Sequence, residues 1–208
     1  MAEKRQKARE PKQERSIEKK QRIIDTAIKL FSESGYDSVG PNEIARASGV
    51  SVGTFYNYFE EKADLMIEIV KNSKKRRVDD VLEKAEKAVE KADTSRDVVY
   101  YVIMEIMKAP DLPSLVQRQS IAMRYTNSQV EEFHRQEEKH TFALIRHLLL
   151  LLGDVVRVSD RDLAAEMVLI IIKESTRAYS IFKPKISRKK FVNELTDMVS
   201  MYLFGGGM

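Results

Sequence analysis

Between Ile44 and Phe59 the chain carries a spacing that few backbones accommodate: Ile44-Ala45, then Gly49-Val50-Ser51, then Phe55-Tyr56 and Tyr58-Phe59. Ala45 is small enough for two short helices to approach closely, and Gly49 turns the chain between them through positive φ at low cost. Ser51 offers a side-chain oxygen to the first unbonded amides of the next helix. Val50 and Phe55 then reach into a small core that Tyr58 and Phe59 close. Ser51, Val52, Gly53, Thr54, Tyr56 and Asn57 are left facing solvent.

The flanking sequence supplies the rest of that core. From Ser16 the apolar residues Ile23, Ala27, Leu30 and Phe31 form one stripe, widened by Ile24 and Ile28, which predicts a helix over Ser16–Ser34 stopped by Gly35. A short second helix is expected over Pro41–Ser48, with Pro41 at its first position and Glu43 at its positive end. The third helix follows from Ser51 to about Tyr58. Three helices of this kind form a compact helix-turn-helix domain.

Beyond Lys62 the pattern remains helical. A long helix begins at Lys62 or Ala63 and contains the basic segment Lys71–Arg77, expected to be a solvated face, and the favourable Glu83/Lys87 spacing. Further helices are expected over Val98–Lys108, Ser114–Arg124, Asn127–Leu152, Asp160–Phe182 and Ser187–Phe204. Their junctions lie at Ala92–Ser95, at Ala109–Pro113, where the two prolines must interrupt the backbone, at Gly153, and at Lys183–Lys185. The terminal glycines 205–207 are expected to fray. No segment reads as a strand. The expected fold class is all-α with about nine helices: a basic, flexible arm over 1–15, a helix-turn-helix domain over 16–61, and a helical-bundle domain over 62–208.

Charge is unevenly placed. The chain's formal charge of +4 is carried by its first 22 residues, where Lys4, Arg5, Lys7, Arg9, Lys12, Arg15, Lys19, Lys20 and Arg22 face only Glu3, Glu10, Glu14 and Glu18. Such an arm suits the tracking of phosphates. Between Ile23 and Lys62 the balance reverses: Lys29, Arg46 and Lys62 stand against Asp25, Glu33, Asp37, Glu43, Glu60 and Glu61. A nucleic-acid surface here therefore needs its acids turned away and its cations drawn from Lys19, Lys20 and Arg22.

The exposed side of the third helix matches the chemistry of a major-groove reader. Its hydroxyls and the Asn57 amide can meet phosphates or base edges, Gly53 permits close backbone approach, and Val52 or the Thr54 methyl can meet a thymine methyl. Lys62 is placed to add charge beside the amides of its own helix start.

On Ile24–Ala27, Leu30-Phe31, Gly35-Tyr36, Ile44-Ala45, Gly49-Val50-Ser51, Gly53-Thr54-Phe55-Tyr56, Tyr58-Phe59, Lys62 and Leu65, the chain resembles the TetR family of transcriptional regulators. The resemblance covers about Arg22–Met66. It implies base or backbone contacts from Ser51, Val52, Gly53, Thr54, Tyr56 and Asn57, phosphate contacts from Tyr58 or Lys62, and further DNA contacts from Asn42 and Arg46. Val39 stands where a threonine is common, Pro41 where an aliphatic residue is usual, and Val52 where a polar or basic residue is frequent.

The resemblance also implies a homodimer formed by the last two helices, bound to a double-stranded, near-palindromic operator. Independently, the penultimate helix has a broad apolar surface, with Leu163, Ile170, Ile171, Ala178 and Ile181. The last offers Phe191, Leu195, Met198 and Tyr202. Both sets are dimerisation candidates. A largely apolar small-molecule effector is implied for the larger domain, with repression relieved on binding. Tyr101, Met104, Met107, Met123, Tyr125, Phe133 and Met167 are the candidate lining, since Met and Tyr line adaptable apolar pockets. Arg124, His134, Glu174 and Arg177 are the candidate polar contacts.

Other chemistries find little support. The chain has no cysteine, which removes thiolate metal sites and cysteine nucleophiles and suits a cytoplasmic protein. His134, His140 and His147 do not form a metal motif, and no phosphate loop or nucleophile elbow is present, so neither metal, cofactor nor catalytic residues are expected. The N-terminus has no secretory signal and no apolar run approaches a membrane span. The competing reading is a ligand-binding or protein-interaction scaffold that binds DNA weakly or nonspecifically.

Overall fold

A computed structural model describes residues 14–91, 93–108 and 112–205. Nine α-helices run through them: α1 Glu14–Ser34, α2 Pro41–Ala47, α3 Val52–Tyr58, α4 Lys62–Lys91, α5 Ser95–Lys108, α6 Ser114–Met123, α7 Ser128–Leu151, α8 Arg161–Phe182 and α9 Arg188–Phe204. A single 3₁₀ turn, Gly153–Val155, follows α7. No strand occurs among the described residues. The fold is all-α, as the periodicity predicts. Residues 1–13 of the basic arm, 109–111 of the proline junction, and 206–208 lie outside the described residues, as do the side chains of 74–77.

The helices fall into two compact units. One takes its described residues from Met1–Asn72 and Leu112–Phe133, the other from Ser73–Asp111 and His134–Met208. The first unit is built on Ile23, Ile24, Ala27 and Phe31 of α1, Ile44 and Ala45 of α2, Phe55 of α3 and Leu65, Met66 and Ile69 of α4, all buried. Val116 and Met123 of α6 and Val130 of α7 complete it. Helix α6 packs on α1. Gly35, with φ +84°, ends α1 in the left-handed conformation that favours glycine, close to the Gln119 side chain of α6.

The second unit has its own core, from Val99, Ile103 and Met107 of α5, Ala164, Ala165, Val168 and Ile172 of α8, and Val192, Leu195, Val199 and Leu203 of α9. Helix α9 packs against both α5 and α8. Arg161 secures the α7 end by donating to the Leu149 and Gly153 carbonyls at 2.7 and 2.8 Å. Glu83 and Lys87 pair along α4 as their spacing predicts.

Candidate nucleic-acid interface

The turn between α2 and α3 is closed by backbone bonds and by the buried Ser48 hydroxyl, which donates to the Ala45 carbonyl at 3.1 Å. Gly49 takes φ +68°, the Val50 amide donates to the Ala45 carbonyl at 3.0 Å, and the Gly49 amide donates to the Arg46 carbonyl at 3.2 Å. These two bonds are the pair that ends a helix on a left-handed glycine. Ser51 then caps α3: its Oγ accepts from the Thr54 amide at 3.1 Å and lies 2.8 Å from the Thr54 hydroxyl. Phe55 is the anchor, fully buried, with its ring against Phe59 at 5.6 Å and edge-on to Tyr56 at 5.4 Å.

Anchoring through one face leaves the other exposed. Ser51, Val52, Gly53, Tyr56 and Asn57 are exposed and Thr54 is half-buried. Val52 and Tyr56 are large apolar groups held in water, 39% and 48% exposed. No charged residue lies on α3. On α2, Asn42 and Arg46 are exposed, as are Lys19 and Arg22 on α1. The acids Asp25, Glu33, Asp37, Glu60 and Glu61 are exposed as well, and the Gln21 amide donates to Asp25 at 2.8 Å along α1.

Three residues expected to meet phosphates have partners within the domain. Lys20 is ion-paired with Glu68 of α4 at 2.8 Å, its ammonium 5.8 Å from the Phe59 ring centroid. The Tyr58 hydroxyl is hydrogen-bonded to Ser16 Oγ at 2.7 Å. Lys62 turns onto the loop before α2, donating to the Tyr36 and Val39 carbonyls at 2.7 and 3.0 Å above the face of the Tyr36 ring. Lys20 joins α1 to α4, Tyr58 joins α3 to α1, and Lys62 joins α4 to the loop before α2; a long side chain in such a place finds a fixed partner at less entropic cost than one held in solvent. Sequence spacing gives no sign of these partners, which are 23 to 48 residues away.

Burial pushes the Lys62 ammonium below its ordinary value, with Asp37 opposing the shift. Burial likewise raises the Tyr36 phenol to about 12, assisted by the charges of Asp37, Glu61 and Asp64.

The candidate effector residues divide between the units. Met123 is buried in the first core, Phe133 packs against that core, Arg124 is half-buried and Tyr125 is 86% exposed. In the second unit Met107 and His134 are buried, Met104 packs on the core, and Tyr101 and Met167 are exposed. Glu174 and Arg177 are salt-bridged to each other at 2.8 Å. Met123 and Phe133 thus serve as packing for the helix-turn-helix unit, because α6 and the start of α7 belong to it. Among the described residues no three His, Asp or Glu side chains gather as a metal-holding group, and no helix is long and apolar enough to cross a membrane.

The dimerisation candidates also separate. Leu163, Ile170 and Ala178 of α8 and Met198 of α9 are exposed, as are Met167 and Met201 nearby in sequence. Leu195 and Ile181 are buried within the chain, and Phe191 packs its ring on Tyr179 at 4.5 Å. Ile171 and Tyr202 are half-buried against the core. The expected contact surface is corrected accordingly: Leu195 and Ile181 belong to the chain's own packing, since α9 turns Leu195 toward α5 and α8.

Comparison with known proteins gives this arrangement a context. Residues 23–69 match the family model described as bacterial regulatory proteins, tetR family. Over 62 residues the chain is 47% identical to the HTH-type transcriptional regulator AcrR of Shigella flexneri, covering 30% of this chain and 28% of that one. The chain thus spans less than a third of the length of the curated relatives it matches. In fold it is similar to the fatty acid degradation regulator FadR from Bacillus halodurans, with TM-score 0.65 and 22% identity, covering 95% of this chain and 98% of that one. The transcriptional regulator FadR from Bacillus subtilis, in complex with stearoyl-CoA, gives TM-score 0.62 and 21% identity, covering 90% and 99%.

Proposed function

From the match of residues 23–69 to the tetR-family model and the likeness of the all-helical fold to FadR regulators, we propose that the chain is a sequence-specific DNA-binding transcriptional regulator. The observation that carries this is α3: Phe55 anchors it while its outward face presents hydroxyls, an amide, a bare backbone at Gly53 and the Val52 methyls, without a charge. A face of that composition enters the major groove and reads base edges. Val52 meets a thymine methyl, Tyr56 and Asn57 meet base edges or phosphates, and Lys19, Arg22, Asn42 and Arg46 hold the backbone on either side.

The regulator acts as a homodimer through the exposed apolar face of α8 and α9. This supports a near-palindromic operator, because a two-fold axis presents two identical readers. An effector of largely apolar character, in the class of long-chain acyl compounds that the Bacillus subtilis relative holds, binds the second unit and favours a dimer geometry with weaker operator affinity. The protein is a cytoplasmic repressor in this reading. Selection of binding sites from random duplex DNA tests it. A near-palindrome bound about a hundredfold more tightly than a scrambled duplex, and released by a long-chain acyl-CoA, is the expected result. Equal weak binding to both duplexes overturns the specific-reader reading in favour of a scaffold.

A further inference from the structure

Helix α2 starts without a cap of its own. Its N-cap is Gly40, which has no side chain to accept from the free amides, and Pro41 holds its first turn. Val39 is buried in the core and cannot supply a hydroxyl. The turn leading into α2 is closed on itself only by the Val39 amide donating to the Tyr36 carbonyl at 3.4 Å, a long bond.

Lys62 completes this turn from outside. Its ammonium bonds both the Tyr36 carbonyl, at 2.7 Å, and the Val39 carbonyl, at 3.0 Å, bracketing the turn at its two ends. The Tyr36 ring lies beneath it, 4.0 Å from the ring centroid, and itself packs on Phe31 of α1 at 5.2 Å. A cation in the first turn of a helix stands at the positive end of that helix's dipole. Lys62, the first residue of α4, relieves this by donating to carbonyls instead of extending into solvent.

We propose that Lys62 is a positioning residue for the DNA reader: by clamping Tyr36 and Val39 it fixes the start of α2, and through α2 the presentation of Asn42 and Arg46. This rests on the reading of the domain as a DNA binder, and it differs from a direct phosphate contact by the same lysine. The two roles leave different traces. A phosphate contact contributes about one unit to the slope of log affinity against log salt, whereas a clamp contributes to affinity and leaves the slope unchanged.

The experiment compares the full-length protein with Lys62→Met, which keeps the stem and loses the charge, and Lys62→Arg, which keeps a cation able to bridge two carbonyls. Operator affinity is measured at several salt concentrations, and amide exchange at Glu43 and Ile44, which donate to the Gly40 carbonyl, is measured in the free protein. The clamp predicts that Lys62→Met loses roughly tenfold in affinity, the loss of a charge-assisted hydrogen bond, at unchanged salt slope, with faster exchange at both amides. Lys62→Arg recovers both properties. A slope lower by about one with unaltered exchange overturns the proposal in favour of a phosphate contact, and no change in either quantity overturns it outright. Should the unaltered protein select no operator, the DNA-reading function fails while the exchange measurement still decides the clamp.

Discussion

Lys20 on α1 and Glu68 on α4 are held 2.8 Å apart with both side chains 23% exposed, which ties the entry of the helix-turn-helix unit to the first turns of the helix that leaves it. A partly shielded pair of this kind is worth about 0.5–1 kcal/mol. A double-mutant cycle with Lys20→Met and Glu68→Gln, read by denaturant unfolding, is expected to return a coupling of that size. Because its charge is already spent, Lys20→Met leaves the salt slope of DNA binding unchanged, whereas Arg22→Met lowers it by up to about one. Equal slopes for the two variants contradict the assignment.

Ser51 has a structural duty as well as an exposed position. Its Oγ accepts from the Thr54 amide, so Ser51→Ala removes the cap and costs about 1 kcal/mol of unfolding free energy. Ser51→Asp, which retains an acceptor, is expected to recover most of it. An unfolding midpoint for Ser51→Ala equal to the parent's is the result that refutes the capping role.

Val52 carries no such duty. It is exposed on α3 and lies outside the buried cluster, so Val52→Ala changes stability by no more than about 0.5 kcal/mol. Its effect appears in the DNA: the parent loses affinity when operator thymines are replaced by deoxyuridine, which lacks the methyl, and Val52→Ala does not. Equal sensitivity of both proteins to the replacement removes the methyl contact.

The apolar surface of the last two helices divides into inward and outward positions with separable consequences. Ile170→Glu or Met198→Glu, on exposed positions, is expected to shift sedimentation toward the monomer with little loss of helix content. Leu195→Ala, 4% exposed in the core, costs about 2–5 kcal/mol of stability whatever the association state. Dimers that persist through both glutamate substitutions place the interface elsewhere.

Tyr36 gives the first unit an alkaline limit. Its phenol ionises at about 12 in the folded chain against an ordinary 10.0, so the folded state holds the proton over an interval where the unfolded state has lost it. The contribution is complete below pH 10 and is lost as pH rises from 10 to 12. The free energy of unfolding is expected to fall more steeply across that interval for the parent than for Tyr36→Phe, and parallel curves show that Tyr36 is not the group responsible.

Helix boundaries were legible locally. The helix predicted over Ser16–Ser34 spans Glu14–Ser34, that over Pro41–Ser48 spans Pro41–Ala47, and that over Ser187–Phe204 spans Arg188–Phe204 with Ser187 as its cap. Proline, glycine and capping residues act within one turn of their own position, so sequence suffices to find them. The outward face of α3 was legible for the same reason, since burying Phe55 at helical spacing assigns Gly53 and Asn57 to the opposite side and Tyr56 to its flank, while Val52, one turn before Phe55, is exposed as the first residue of the helix.

What the sequence by itself determined is therefore the all-helical class, the order and limits of the helices, and the exposed composition of the reader. Tertiary structure decided where long side chains and doubly apolar helices turn. Lys20, Tyr58 and Lys62 each have a solvent-facing and an inward alternative, and the choice fell to Glu68, Ser16 and the Tyr36 and Val39 carbonyls, supplied by distant segments. Leu195 and Met198 lie three residues apart, both apolar, yet only the packing of α9 against α5 and α8 buries the first and exposes the second. Periodicity specifies that a helix has apolar surface, but a flexible cation or a broad apolar stripe takes its direction from the free energy of partners that the local sequence does not contain.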